Sequence, residues 1–199
     1  RASPSEGFEL ECERRVEVEG PIRRLMAKLG IPEKVRVEVL ASPPSHVGLG
    51  STTQLLLSVA LAVARLHGLK VEVAEVARLL GRGTVSAAGT YAFKHGGFVL
   101  DGGCKTGGGG FPPLIFRARF PADWVFVVGI PNVKRGFSER VEPIFMGRAR
   151  RALRGRSFER ASRIVLMKLL PSLVEGDIEG FGSALTMLQR EVGRMFAPV

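Results

Sequence analysis

Ser51, Thr52 and Thr53 follow Gly48-Leu49-Gly50 without interruption, and no other stretch of the 199-residue chain is so well composed to hold an anion. A strand that turns through two glycines into a helix leaves the first backbone N–H groups of that helix without intrahelical partners, at the positive end of its dipole. Hydroxyls in the same turn add further donors, and phosphate is the usual guest of such an arrangement. The spacing is not that of the Walker loop, whose Lys is missing, nor that of the three-glycine dinucleotide fingerprint. A tight turn with Ser51 capping a buried helix is the competing explanation. One cap, however, needs one hydroxyl, and here there are three.

Five further positions carry candidate chemistry. Asp101 ends a short apolar run just before Gly102-Gly103, where a carboxylate can ligate a metal or act as a base, or simply start an Asx-type turn. His46 lies in the approach to the glycine turn and has the side chain that ordinarily titrates nearest neutral pH, which suits proton transfer. Without a located partner it reads equally as a polar loop residue. Arg82 heads the run 81–103 and can clamp a phosphate or a carboxylate through two parallel N–H groups. In the same run, small Ser86 and Gly89 allow a second backbone or a ligand to approach closely, which makes both substrate-proximal candidates.

Stepping outward, residues 35–40 alternate apolar and charged and predict a strand leading into the turn. The run 51–67 is apolar on nearly every face and predicts a central helix covered on both sides. Upstream, 8–18 alternates in part and predicts a strand with Phe8, Leu10, Cys12, Val16 and Val18 facing inward; Gly20-Pro21 predicts a break and 21–29 a short helix. Downstream, the pattern predicts helices at 72–80 and around 85–94, and strands at 98–100, 114–120 and 124–130, the last apolar throughout and hence central. The glycine-rich segment 105–113 has the composition of a mobile loop or lid. Two amphipathic helices, 157–170 and 177–195, are expected to be separated by Pro171 and Gly176-Asp177. A domain junction is expected at Pro131.

Composition is that of a folded protein, 45% hydrophobic and 24% charged, but a net charge of +10 predicts an anionic partner. Five arginines between 148 and 156 raise the possibility of a nucleic-acid patch. With no aromatic interleaving beside them, a solvated basic face near an anionic substrate is the preferred reading. No segment is apolar and long enough to span a bilayer, no secretory signal opens the chain, and Cys12 and Cys104 lack ligand-like spacing, so a cytoplasmic protein with two reduced thiols is expected. The start at Arg1, without Met, and the end just after a helical pattern lead us to expect missing flanking segments.

The run PPSHVGLGSTTQ (43–54) resembles the first motif of the GHMP kinase superfamily, in which a Gly-Leu-Gly-Ser loop opens a buried helix and holds the phosphates of ATP. Kinases of that superfamily are expected to carry a catalytic Asp at about Gly89, where neither Gly89 nor Thr90 is acidic. The run GRGTVSAAGTYAFKHGGFVLDGG (81–103) looks instead like a non-kinase branch, the β-ribofuranosylaminobenzene 5′-phosphate synthases of methanopterin biosynthesis. The resemblance is close over 43–133, with Cys104 standing where that branch is expected to have His. It implies an α+β fold: a GHMP-kinase-like two-layer domain over 1–130 carrying the phosphate loop, then a smaller, incomplete α+β domain over 131–199.

The implied reaction joins phosphoribosyl diphosphate to an aromatic carboxylate, 4-hydroxybenzoate or 4-aminobenzoate, with loss of diphosphate and carbon dioxide. Gly48, Leu49, Gly50, Ser51, Thr52, Thr53 and Arg82 would bind phosphate. Asp101 and His46 would be the catalytic pair, and Mg²⁺ the expected cofactor, touched by Ser51 or Asp101. A homodimer is a candidate assembly. The alternatives are an ATP-dependent small-molecule kinase and a basic nucleic-acid-binding protein.

Overall fold

The computed structural model describes residues 1–45, 47–105, 110–130 and 156–196. Contacts divide the chain into two compact units, Arg1–Arg117 and Ala118–Val199. Residue 131, where the sequence places a junction, begins the stretch outside the described residues.

The first unit opens with β1 (Ala2–Pro4) and β2 (Glu9–Glu11), passes through α1 (Arg15–Leu29), and continues with β3 (Val35–Glu38). β3 is the middle strand, antiparallel to β1 with Ala2 opposite Val37 and parallel to β2 with Leu10 opposite Val37. Its alternation sorts the two faces as the sequence predicts. Val35 and Val37 are buried, while Arg36 pairs with Glu9 and Glu11 on the other face. Of the helices, α2 (Ser51–Leu66) packs against β1 and β3 and α1 against β2, while α3 (Val73–Leu79) and α4 (Ala88–His95) pack on α2. A separate two-stranded ribbon pairs β4 (Phe98–Asp101) with β5 (Leu114–Ala118). The mixed α+β architecture matches expectation.

α2 is the centre of the core. Ten of its sixteen residues are buried, including the fully enclosed Leu57, Ala60, Val63 and Ala64. Leu57→Ala should cost about 2–5 kcal/mol, because the packed surroundings close only partly over the lost methyls. A shift of the urea midpoint with an unchanged slope would register it.

The N-terminal expectation is corrected. Only Glu9–Glu11 is strand, and α1 begins at Arg15 and runs through Gly20-Pro21 to Leu29. Val18, Ile22, Leu25 and Met26 form one buried stripe at helical spacing, whereas Val16, expected inside, is 96% exposed. Burying each of those four side chains is worth about 1.5–3 kcal/mol, against roughly 3 kcal/mol for an interior proline. Tertiary burial wins over the local breaker.

In the second unit, the run 124–130 is not the central strand that its composition predicts. It pairs with no strand among the described residues, and Val125 and Val127 are 83% and 92% exposed. Trp124 and Phe126 instead join Phe120, whose ring, like that of Trp124, also meets Phe181. Pro171 does not end a helix either. α5 (Arg156–Ile164) passes through a π-turn (Val165–Leu169) into α6 (Leu170–Glu175), and α7 (Ile178–Phe196) follows. The Leu170 N–H bonds back to the Val165 carbonyl, and this wider turn absorbs the proline one residue later.

Candidate functional site

The glycine turn is built as expected, with one difference in its cap. Gly48 and Gly50 both have positive φ, and Gly50 (φ 64°) is the N-cap of α2. No side chain caps the helix, so Ser51 is its first residue rather than its cap. The first intrahelical bond runs from Gln54 N–H to the Gly50 carbonyl at 3.2 Å. The N–H groups of Ser51, Thr52 and Thr53 therefore open the positive end of a sixteen-residue helix. His46 lies outside the described residues.

The three hydroxyls of that turn meet two arginines. Arg82 donates from Nε and Nη2 to Thr53 Oγ1 at 3.1 and 3.0 Å. The end of α3 aims it there. Gly81, in the left-handed conformation, and Arg82 close a Schellman motif, with their N–H groups on the Arg78 and Ala77 carbonyls.

Arg14 is the second arginine, and the sequence reading missed it. It donates from Nη1 to Ser51 Oγ at 3.1 Å and from Nη2 to Thr52 Oγ1 at 2.7 Å. Glu17 holds its guanidinium in turn, through Nε at 3.1 Å and through Nη2. The helical period upstream of Pro21, with an acid in the first turn, was the available signal. The glycine-proline pair hid it.

Gly89 faces the same turn. A Cβ built there would lie 3.5 Å from Thr53 Cγ2, and its carbonyl accepts from Gln54 Nε2 at 3.0 Å. The site therefore has no carboxylate at the place where the kinases would have one. Lys94 steadies α4 from outside through Glu72 at 2.8 Å. That hydrogen bond holds the Glu72 carboxyl below its ordinary range, so its small, solvent-screened contribution is present at neutral pH and fades as acid protonates it.

Asp101 is placed by the end of β4 against the start of α4. Its carboxylate accepts from Ser86 Oγ at 2.6 Å, Ala87 N–H at 3.0 Å and Gly103 N–H at 2.8 Å. Ser86 Oγ also accepts from Ala88 N–H at 3.1 Å. These contacts delay the helix start from the expected 85 to Ala88. Asp101→Asn exchanges an acceptor for a donor against a fixed N–H or hydroxyl. It should cost about 1–3 kcal/mol of stability, seen as a lower melting temperature, whatever it does to turnover. Nearby, Gly83 admits Phe111, whose ring would lie 2.2 Å from any Cβ there. Cys104 directs its thiol to the Thr84 carbonyl at 3.1 Å, and neither cysteine is in a disulfide.

The described residues contain no group of three or more His, Cys, Asp or Glu that could hold a metal. Ser51 sits against a guanidinium and Asp101 against three donors, so neither is poised as a Mg²⁺ ligand. No helix among the described residues is long and apolar enough to cross a membrane. The arginine-rich segment lies outside the described residues apart from Arg156.

Residues 17–97 match the GHMP kinases N terminal domain. The chain is 37% identical over 199 residues to the β-ribofuranosylphenol 5′-phosphate synthase of Methanothermobacter thermautotrophicus, covering 94% of this chain and 60% of that protein. It is 37% identical over 164 residues to the synthase of the same name from Archaeoglobus fulgidus, covering 77% and 51%. A homoserine kinase of Pyrobaculum islandicum is 32% identical over 122 residues, covering 58% of this chain and 38% of the kinase. The chain thus spans little more than half the length of the synthases it matches.

Proposed function

We propose that this chain, which resembles the archaeal β-ribofuranosylphenol 5′-phosphate synthases and matches the GHMP kinases N terminal domain over residues 17–97, is the phosphate-binding part of a decarboxylating phosphoribosyltransferase. The substrates are phosphoribosyl diphosphate and an aromatic acid, in an early step of methanopterin biosynthesis. A product named as a ribosylated phenol favours 4-hydroxybenzoate over 4-aminobenzoate.

One observation carries this reading over kinase chemistry: Arg82 lies on Thr53 at the head of α2, and the adjoining position, Gly89, has no side chain. A kinase of this kind is expected to carry a group there that orients or deprotonates the hydroxyl attacking ATP. A phosphoribosyl transfer has no such hydroxyl. Its need is to neutralise departing diphosphate and hold a ribosyl carbon that becomes cationic.

The C1′–O bond to diphosphate breaks while the ring carbon bearing the carboxylate bonds to C1′. The C–CO₂ bond then breaks and returns its electron pair to the ring, so no external base is required. The α2 N–H groups, Ser51, Thr53 and Arg82 hold phosphate charge, and Arg82 also suits the benzoate carboxylate. Mg²⁺ bound together with the substrate would supply further neutralisation of leaving-group charge. Asp101 anchors the start of α4, and His46 is the candidate for moving the proton of the ring hydroxyl.

The full-length protein should release labelled carbon dioxide from carboxyl-labelled 4-hydroxybenzoate when given phosphoribosyl diphosphate and Mg²⁺. No release, together with ATP-dependent phosphorylation of homoserine or another small alcohol, would transfer the site to the kinase reading that the Pyrobaculum relative favours.

A further inference from the structure

Two arginines serve one helical turn, and their surroundings differ. Arg82 is half-buried and approaches Thr53 alone of the three hydroxyls. The Arg14 side chain is 10% exposed, and its two hydroxyl partners, Ser51 and Thr52, are buried. Arg14 precedes α1, yet its side chain does not cap that helix; it crosses to residues 37 and 38 positions away in sequence.

Stability alone does not account for this placement. Arg14 is nine-tenths buried while Glu17 is a third exposed, so the guanidinium gives up most of its hydration for a partner that water still reaches. A cation at the N-terminus of α2 also meets the helix dipole with like sign. Glu17 lies against the guanidinium rather than against the helix end, and the α2 N-terminus is where a negative charge is favoured.

We propose that Arg14 is a positioning residue for the phosphate-binding turn, which sets the Ser51 hydroxyl as a donor to the bound phosphate and withdraws the Thr52 hydroxyl from it. This rests on the phosphate-binding reading of the turn. A hydroxyl has one proton to give. Ser51 Oγ accepts from Arg14 at 3.1 Å, so its oxygen faces the cation and its proton is left for an anion. Thr52 Oγ1 accepts from Arg14 at 2.7 Å and gives its proton to Glu17 Oε2 at 3.3 Å. Of three hydroxyls that look equivalent in sequence, Ser51 and Thr53 therefore serve the ligand, and Thr52 serves the scaffold.

The test is calorimetric titration of the full-length protein with inorganic diphosphate and with phosphoribosyl diphosphate, beside melting temperatures. Arg14→Gln and Ser51→Ala should each weaken diphosphate binding by roughly 10–100-fold, the worth of a hydrogen bond to a charged group. The double variant should be little worse than either single, because Arg14 acts through Ser51. Thr52→Val should lower the melting temperature and leave affinity within about threefold of wild type, since its hydroxyl faces inward. Arg14→Lys should not restore affinity, because an ammonium cannot reproduce the fork. If Arg14→Gln does not fold, Arg14→Gln/Glu17→Gln removes both charges and replaces it throughout.

Additive losses in the Arg14/Ser51 pair would make Arg14 a direct ligand contact and overturn the proposal. A lower melting temperature with unchanged affinity in Arg14→Gln would reduce it to a structural ion pair. Diphosphate binding that follows the expected pattern without carbon dioxide release would sink the proposed reaction and leave this inference standing. A wild-type protein that binds neither diphosphate nor phosphoribosyl diphosphate would end both.

Discussion

Arg82→Ala in the full-length protein is expected to lower kcat/KM for phosphoribosyl diphosphate by about 10²–10³-fold, the loss typical of removing one preorganised charge-stabilising donor. Its melting temperature should hardly move. Among the described contacts, the partner left behind is Thr53, a half-buried hydroxyl that water can satisfy. Arg82→Lys should recover only part of the loss, because two N–H groups converge on Thr53 from a planar fork aimed by the Gly81-Arg82 turn. The split matters more than the size. A fall in turnover with intact stability marks a group that touches substrate, whereas a wild-type rate for Arg82→Ala would remove Arg82 from the site.

Gly50→Val should be nearly as damaging, for a backbone reason. Gly50 has φ 64°, and a Cβ placed there meets nothing within 4 Å. Steric crowding by neighbours is thus excluded, and the penalty is conformational. A left-handed residue costs about 1–2 kcal/mol for an ordinary side chain, and β-branching adds to it. If the turn relaxes, the N–H groups of residues 51–53 rotate away from their common focus and binding of diphosphate is lost. Gly50→Asn separates the two contributions, because Asn tolerates the left-handed region. It should melt close to wild type, so any loss of diphosphate affinity that remains reports a ligand lying against the Gly50 backbone. Wild-type affinity in Gly50→Val would show that the turn is not the binding element.

Much of the site was legible because its signals are local. Two glycines before three hydroxyls specify a positive-φ turn and a helix start within six residues, and the structure forms both. Arg82 was legible for the same reason, since the Gly81 that aims it is its neighbour. Asp101 was placed correctly at a strand end, but its hydrogen bonds to Ser86, Ala87 and Gly103 depend on how β4 meets α4. The alternation of 35–38 identified the buried face of β3 before any partner was known.

Tertiary structure decided what no window of the sequence contains. Gly20-Pro21 is a strong local breaker, and only the burial of Val18, Ile22, Leu25 and Met26 together carries α1 through it. That continuation is what brings Arg14 and Glu17 to Ser51 and Thr52, across 37 and 35 positions of chain. Residues 124–130 are the converse case. Their composition is that of a central strand, yet a strand needs a neighbour to take its backbone hydrogen bonds, and none is present among the described residues. The sequence by itself determined the turn, its glycines and the three hydroxyls at the helix start, because φ angles and helix ends are set by a few adjacent residues. Which hydroxyl meets Arg14 and which meets Arg82 was decided only when packing brought two distant arginines to the same helical turn.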